Sequence, residues 1–379
     1  MRKPVAGRPV VSPAPGVPVP PAGAADASPA PSAQPHGIPP TDGAAGRDGG
    51  APQAPVIHVA IGLLRDARGR VLLAQRRAGQ HLPGLWEFPG GKLARGETPA
   101  AALVRELAEE CGVRGARFAP WMRLGRHYPA RDGHGARTVV LHALRVVRWT
   151  GRPAGREGQA LRWTDVTELA GLPMPAANAP LLTSLRLPAV YQISGPCRPG
   201  GEEDFLHRIE HGLARGVRLV CLRCPDLPDA SYAALARAVM ERAGGRAQVL
   251  LHDRAHLLAD TGAHGVHLSV RRAARLSGRP PGGWLGVSCH DAAELAVARR
   301  VGADFAVLGP VRPTASHPGA PALGWARFAA LCAAAGLPVY ALGGLAPAGA
   351  ARARRAGAQG VAVLGALWPP ARAAAARPV

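Results

Sequence analysis

The stretch Gly91-Lys92-Leu93-Ala94-Arg95-Gly96-Glu97-Thr98-Pro99, continued after three alanines, Leu103 and Val104 by Arg105-Glu106-Leu107-Ala108-Glu109-Glu110-Cys111-Gly112-Val113, decides how the first half of the chain folds. It reads as a loop, a helix and a loop. Thr98 can cap the helix through its hydroxyl, Pro99 suits a first position whose N–H has no intrahelical partner, and Gly112 suits a left-handed stop. Glu106, Glu109 and Glu110 stand at i, i+3 and i+4, which turns all three toward one face and predicts that their carboxylates converge. Two such charges about 4 Å apart repel by roughly 4 kcal/mol at an effective dielectric near 20. A divalent cation relieves that repulsion, and hard oxygen donors favour magnesium or manganese. The competing reading is an exposed acidic stripe paired with Arg105.

Around this segment, Val56-Ile57-His58-Val59-Ala60-Ile61-Gly62-Leu63-Leu64 reads as a buried strand, Asp66 to Arg70 as a turn and Val71 to Ala74 as the second arm of a β-hairpin. Further strands are expected at Leu85 to Phe88, Thr138 to Val147 and Leu161 to Trp163, with helices over Pro99 to Cys111 and around Pro180 to Leu185. Strands mixed with a few helices over residues 56–186 predict a layered α/β/α sandwich. Residues 1–55 hold 14 Pro and 8 Gly and no aromatic residue, a composition that cannot offset its own ordering entropy and reads as a disordered tail.

From residue 187 to 379 short apolar strands alternate with Ala- and Leu-rich helices. The strands are expected at Ala189–Ser194, Arg218–Arg223, Gln248–Asp253, Gly265–Ser269, Trp284–His290, Phe305–Val311, Pro338–Gly344 and Gly360–Gly365. Helices such as Glu203–Arg215, Ser231–Ala243, Ala292–Val301 and Trp325–Ala335 separate them. Eight strands with crossover helices predict a (β/α)8 TIM-type barrel that binds ligands where its strands end.

The 379 residues thus suit two domains and a tail. No run of 18 apolar residues is free of charge, six scattered cysteines do not make a disulfide scaffold, and prolines follow Met1-Arg2-Lys3 where a secretory core would stand, so a cytoplasmic protein is expected. The net charge of +21 is spread: the tail has 4 basic and 3 acidic residues, residues 56–186 have 20 and 10, and residues 187–379 have 22 and 12. Such a diffuse field attracts phosphorylated small molecules and gives no stripe for binding nucleic acid directly.

The segment quoted first resembles the Nudix box: Gly, five residues, Glu, seven residues, Arg-Glu-apolar, one residue, Glu-Glu, one residue, Gly-apolar, with every specified position met. Leu85-Trp86-Glu87-Phe88-Pro89-Gly90-Gly91-Lys92, Gly155-Arg156-Glu157-Gly158-Gln159 and the Pro173 to Pro180 segment are similar to the MutT subgroup, the 8-oxo-dGTP diphosphatases of nucleotide-pool sanitation and DNA damage avoidance. The resemblance implies that Glu106, Glu109 and Glu110, with the Gly91 carbonyl, hold Mg2+ or Mn2+. Arg105 joins Glu106 and Glu110 at the catalytic centre, and Glu157 arrives from a separate loop as a further ligand or general base. Arg77, Phe88 and Asn178 contact the nucleotide, Asn178 reading the oxidised purine edge with the paired donor and acceptor of its amide; Asn178 could equally cap the following helix. The implied reaction is substitution at phosphorus by a metal-activated water, releasing pyrophosphate and a nucleoside monophosphate. His81, His127 and His134 read as loop residues without a part in it.

In the second half, Tyr191-Gln192-Ile193-Ser194, Gly262-Ala263-His264-Gly265-Val266-His267-Leu268, Leu285-Gly286-Val287-Ser288-Cys289-His290 and Ala341-Leu342-Gly343-Gly344 together resemble the thiamine phosphate synthase and TenI superfamily. The resemblance implies phosphate binding on the backbone of Gly343 and Gly344. Where the synthases hold pyrophosphate, this chain has Cys221 and Pro225, His252-Asp253, Arg271 and Pro313-Thr314-Ala315-Ser316-His317, which lack the acidic metal ligand and the cationic and amide clamps. The TenI branch, a thiazole tautomerase, needs neither, and its proton-shuttling His matches His290. Cys221-Leu222-Arg223-Cys224 has no second pair nearby and reads as structural. Three readings follow: an oxidised-purine hydrolase carrying a barrel; a hydrolase of a thiamine-pathway pyrophosphate whose barrel acts as tautomerase or synthase on a phosphorylated thiazole or thiamine precursor; and a barrel that senses such a phosphate ligand.

Overall fold

The computed structural model describes residues 55–130, 135–198, 200–314 and 321–368. The expected tail lies outside the described residues apart from Pro55, as does His134. The first half opens with β1 (Val56–Leu63), β2 (Val71–Gln75), β3 (Trp86–Glu87) and β4 (Gly90–Lys92), then helix α1 (Pro99–Cys111), β5 (Arg114–Tyr128), β6 (Arg137–Thr150), β7 (Leu161–Thr164) and α2 (Ala179–Arg186). These strands make two sheets, ordered β4-β1-β6-β5 and β3-β2-β7.

The expected hairpin of β1 and β2 does not form. A single bridge, Arg65 to Val71, links their ends, after which β1 pairs with β4 antiparallel and β6 parallel while β2 pairs with β3 and β7. The reason is that β1 is apolar on both faces: Ala60 packs with Leu103 and Leu107 of α1, and Ile61 and Leu63 pack with Phe88, Trp121 and Leu181 on the opposite side. A strand buried on both faces belongs at a sheet centre, between two partners. The glycine loop expected before the helix also becomes a strand, β4, and the stretch 114–128 forms a strand that its Gly, Pro and Arg residues concealed. Register shifts at Arg114/Arg117, Arg117/Phe118 and Pro120/Met122 absorb those residues, and His127 lies in β5, not in a loop.

The second half holds β8 (Val190–Ile193), β9 (Leu219–Leu222), β10 (Gln248–His252), β11 (Gly265–Leu268), β12 (Trp284–Cys289), β13 (Phe305–Leu308), β14 (Val339–Ala341) and β15 (Gly360–Val363). They pair in parallel and close as one barrel, β15 bonding to β8. Helices at Glu202–Ala214, Asp229–Ala243, Ala292–Arg300 and Gly324–Ala334 lie close to their expected bounds. Tyr191, Phe305 and Tyr340 fill the barrel interior.

A buried polar chain joins the halves. Trp121 Nε1 donates to Ser184 Oγ at 2.9 Å, Ser184 Oγ donates to Gln359 Oε1 at 2.5 Å, and Gln359 Nε2 donates to the Ser184 and Leu187 carbonyls at 3.1 and 2.7 Å. Among the described residues no helix is long and apolar enough to cross a membrane.

Candidate active site

Helix α1 starts and stops as its sequence dictates. Thr98 is extended and its hydroxyl accepts from Ala101 N at 3.2 Å, and Gly112 takes φ 68° so that its N–H reaches the Ala108 carbonyl. The helix buries Ala102, Leu103, Leu107 and Cys111 on the sheet, with Glu106 and Glu110 half-buried beside that face and Glu109 exposed. Three carboxylates do not simply converge there, because Arg105 draws on two of them. Its guanidinium binds both oxygens of Glu97 at 3.1 and 3.0 Å, Glu106 at 2.8 Å, Glu109 at 3.3 Å and the Lys92 carbonyl at 3.2 Å. The hydrogen bonds Arg105 donates to Glu97 first and Glu106 second hold its proton even more firmly than usual. Glu109 consequently leans outward, 54% exposed. The pairing with Arg105 is that of the competing sequence reading, and it coexists with the shared face.

Glu106 and Glu110 remain on the inner side. A side chain at Gly91 would put its Cβ 2.3 Å from the Glu106 carboxylate and push that carboxylate aside. Glu110 is pushed up to about 7, first by desolvation and then by the negative charges of Glu106, Glu157 and Glu87. Glu87 is itself raised by burial, against the pull of Arg76 at 2.8 Å. Among the described residues no three His, Cys, Asp or Glu side chains stand together as a ready metal cage. The donor set nevertheless suits a hard divalent cation, since several carboxylate oxygens crowd one another with insufficient positive charge between them. Glu87, which sits in the sequence beside the box, was not singled out; its place on β3 opposite Ala74 carries it into the site.

The loop after β6 brings Glu157 to this place. Arg77 forms an ion pair with the Glu157 carboxylate at 2.8 Å and also donates to its carbonyl at 2.8 Å. Gln159, unremarked in the sequence except as part of the motif, accepts from Glu157 N at 2.9 Å and donates to the Glu110 carbonyl at 3.0 Å. A small cavity between these groups is lined by Gln75, Arg77, Gln80, Glu87, Glu110 and Gln159. The structure therefore brings together Glu106, Glu110, Glu157 and Arg77.

Phe88 and Asn178 do not line that cavity. Phe88 is 1% exposed and packs edge-on against Trp121 in the core, so the structure gives it no open face. Asn178 is 6% exposed and helical at the start of α2, and its side chain makes no capping bond, which removes the capping alternative.

At the barrel's C-terminal end, His290 follows β12, the fifth barrel strand, with its side chain 62% exposed and Nδ1 2.8 Å from Glu294 Oε2. Gly343 and Gly344 follow β14 with φ 105° and 60°, a conformation suited to glycine. Deeper inside, Ser288 Oγ meets His267 Nε2 at 2.8 Å and His267 Nδ1 meets Tyr191 OH at 3.0 Å, a buried chain that the sequence reading missed. Cys221 and Cys224 are buried free thiols, in keeping with a packing role. Burial pushes them up to about 12 and about 11.

A carboxylate-bearing helix thus lies against a glycine strand, a distant loop delivers a further glutamate, and the chain continues into a closed parallel barrel. Comparison with known proteins gives the class of each half. The NUDIX domain family matches residues 56–185 and the thiamine monophosphate synthase family matches residues 190–367. Over 130 residues the chain is 35% identical to the 8-oxo-dGTP diphosphatase of Escherichia coli K12, covering 34% of this chain and 96% of that one. It is 38% identical over 130 residues to the 8-oxo-dGTP diphosphatase of Haemophilus influenzae, covering 34% and 91%. The second half is 40% identical over 190 residues to a putative thiamine-phosphate synthase of Geobacter sulfurreducens, covering 47% of this chain and 86% of that one. The chain belongs to the Nudix hydrolases through its first half and to the thiamine monophosphate synthase and TenI family through its second.

Proposed function

We propose that the first half hydrolyses an oxidised purine nucleoside triphosphate, of the 8-oxo-dGTP kind, to the monophosphate and pyrophosphate. The observation that carries this reading is the gathering of Glu106, Glu110, Glu157 and Glu87, where burial first and then the charges of Glu106, Glu157 and Glu87 push Glu110 up to about 7: an anionic cluster suits a phosphate chain only when a cation stands between them. Glu106, Glu109 and Glu110, with the Gly91 carbonyl, are the groups to hold Mg2+ or Mn2+. When bound, the cation neutralises phosphate oxygens and acidifies the attacking water. Glu157 takes the proton of that water as its oxygen bonds to phosphorus and the phosphoanhydride breaks. Arg105 keeps the glutamates in register, Arg77 exchanges its Glu157 partner for the nucleotide, and Asn178 offers donor and acceptor to the base.

In the barrel, Gly343 and Gly344 are the proposed phosphate-binding turn and His290 the proton carrier. The barrel's kinship with thiamine-phosphate synthases favours a second reading, in which the hydrolase cleaves a thiamine-pathway pyrophosphate instead. Product analysis on 8-oxo-dGTP, dGTP, thiamine diphosphate and a pyrimidine diphosphate, with and without Mg2+, separates the two. Under the first reading 8-oxo-dGTP turns over fastest and Glu110→Gln lowers kcat about a hundredfold or more. Equal turnover by that variant, or indifference to Mg2+, removes the metal–carboxylate scheme.

A further inference from the structure

Glu157 arrives on the ten-residue loop between β6 and β7, which must be held against α1 to be useful. Three bonds do this at the end of the helix, where carbonyls lack intrahelical partners. Arg156 N donates to the Glu110 carbonyl at 2.9 Å and Ala154 N to the Cys111 carbonyl at 3.0 Å. The third is the side chain of Gln159, whose Nε2 joins the same Glu110 carbonyl at 3.0 Å while its Oε1 receives Glu157 N at 2.9 Å. The loop is tight as well: a Cβ on Gly155 would lie 2.0 Å from the Gln159 carbonyl. On its other side Glu157 is held by Arg77, a partner that the proposed nucleotide displaces.

We infer that Gln159 is a positioning residue, which fixes the Glu157 backbone to the carboxylate end of α1 and keeps it there once Arg77 turns to substrate. The inference rests on the reading of Glu157 as the group that serves the attacking water. An amide is required because one end must donate to a carbonyl while the other accepts from an N–H, a pairing neither Glu nor Leu of similar size can make. Supporting groups of this kind typically alter activity or metal affinity about tenfold to a hundredfold when removed.

The test uses the full chain with Gln159→Leu, Gln159→Glu, Glu157→Gln and the double variant Gln159→Leu/Glu157→Gln. Amide hydrogen exchange at Glu157 in metal-free protein is the first readout: it should speed up about tenfold in Gln159→Leu while exchange in the β1 core stays as in the parent. With 8-oxo-dGTP and Mg2+, Gln159→Leu should lower kcat about tenfold to a hundredfold with KM within about twofold, and Gln159→Glu should also fall because it keeps only the acceptor. Since Gln159 acts through Glu157, the double variant should be no slower than Glu157→Gln. Unchanged exchange at Glu157, parental kcat in Gln159→Leu, or multiplied losses in the double variant overturns the inference. A parental kcat in Glu157→Gln, with exchange altered as expected, instead sinks the reading of Glu157 and leaves the clamp as a loop-holding device.

Discussion

Asn178 stands at the position an N-capping residue usually takes, and yet it does not cap. It is already helical, at φ −83° and ψ −13°, whereas a capping side chain acts from an extended backbone. A buried amide that does not serve the helix it precedes is available to a ligand, and losing such a group costs most for the ligand that used both its donor and its acceptor. Asn178→Ala should therefore lower kcat/KM for 8-oxo-dGTP by about tenfold or more while leaving dGTP nearly unchanged, measured as the ratio of the two in one competition assay. If thiamine diphosphate is the true substrate, the same substitution leaves its turnover alone. Glu106 and Glu110 were legible from spacing alone, because helical period fixes the face. Gln159 and Glu87 were not, because their roles depend on strands and loops far away in the chain, and no local period carries that information.

Among the elements, β4 shows how much a short strand can decide. Gly90 has φ 143°, and a Cβ there would lie 2.1 Å from the Ala60 carbonyl of β1. No relaxation of a flexible side chain can relieve a clash with backbone. Gly90→Ala should destabilise the chain by about 2 kcal/mol or more, read as a shift in urea midpoint, and should cost hydrolysis as well, because Gly91 and the Glu106 carboxylate move with it. Helix α1 was legible to the residue from Thr98, Pro99 and Gly112, and the eight barrel strands from their apolar runs. Strand β5 was hidden because Gly115 and Pro120 disfavour strands locally, and only the bulged register against β6 accommodates them. The misread hairpin has the same origin: the seven residues between β1 and β2 look like a turn, and what separates the strands is the competition of β4 and β6 for β1.

At the scale of the molecule, its response to acid follows from imidazoles that folding keeps neutral. His267, 1% exposed inside the barrel, is brought down to about 3 by burial and then by His252. His142, on the first sheet, is brought down to about 4 by burial, Arg123 and His58. Both lie below the value of about 6.5 that a histidine has in an unfolded chain. The unfolded chain therefore takes up protons first as pH falls, and stability present above pH 6.5 is lost from there downward, until His142 titrates near 4 and His267 near 3. Each fully excluded proton costs about 1.4 kcal/mol per pH unit. Urea titrations at pH 7.5, 6.5 and 5.5 in a Glu110→Gln background, which removes the carboxyl raised to about 7 whose titration has the opposite sign, should show a small change in the upper step and a decline in the lower one. His267→Gln should reduce that decline, and an equal decline in the variant removes His267 from the explanation. Such long-range burial could not be read from a lone His in an apolar strand.

Helix α2 ends at Arg186 and β8 begins at Val190, and the amide of Gln359, from just before β15, is spent on carbonyls of Ser184 and Leu187 across that gap. A gene cut at this seam would leave Trp121 and Ser184 on one product and Gln359 on the other, and the Ser184–Gln359 bonds that cross it would be lost, at about 0.5–1.5 kcal/mol each. The two halves thus share one polar network, and either of them taken alone would offer those groups to water instead.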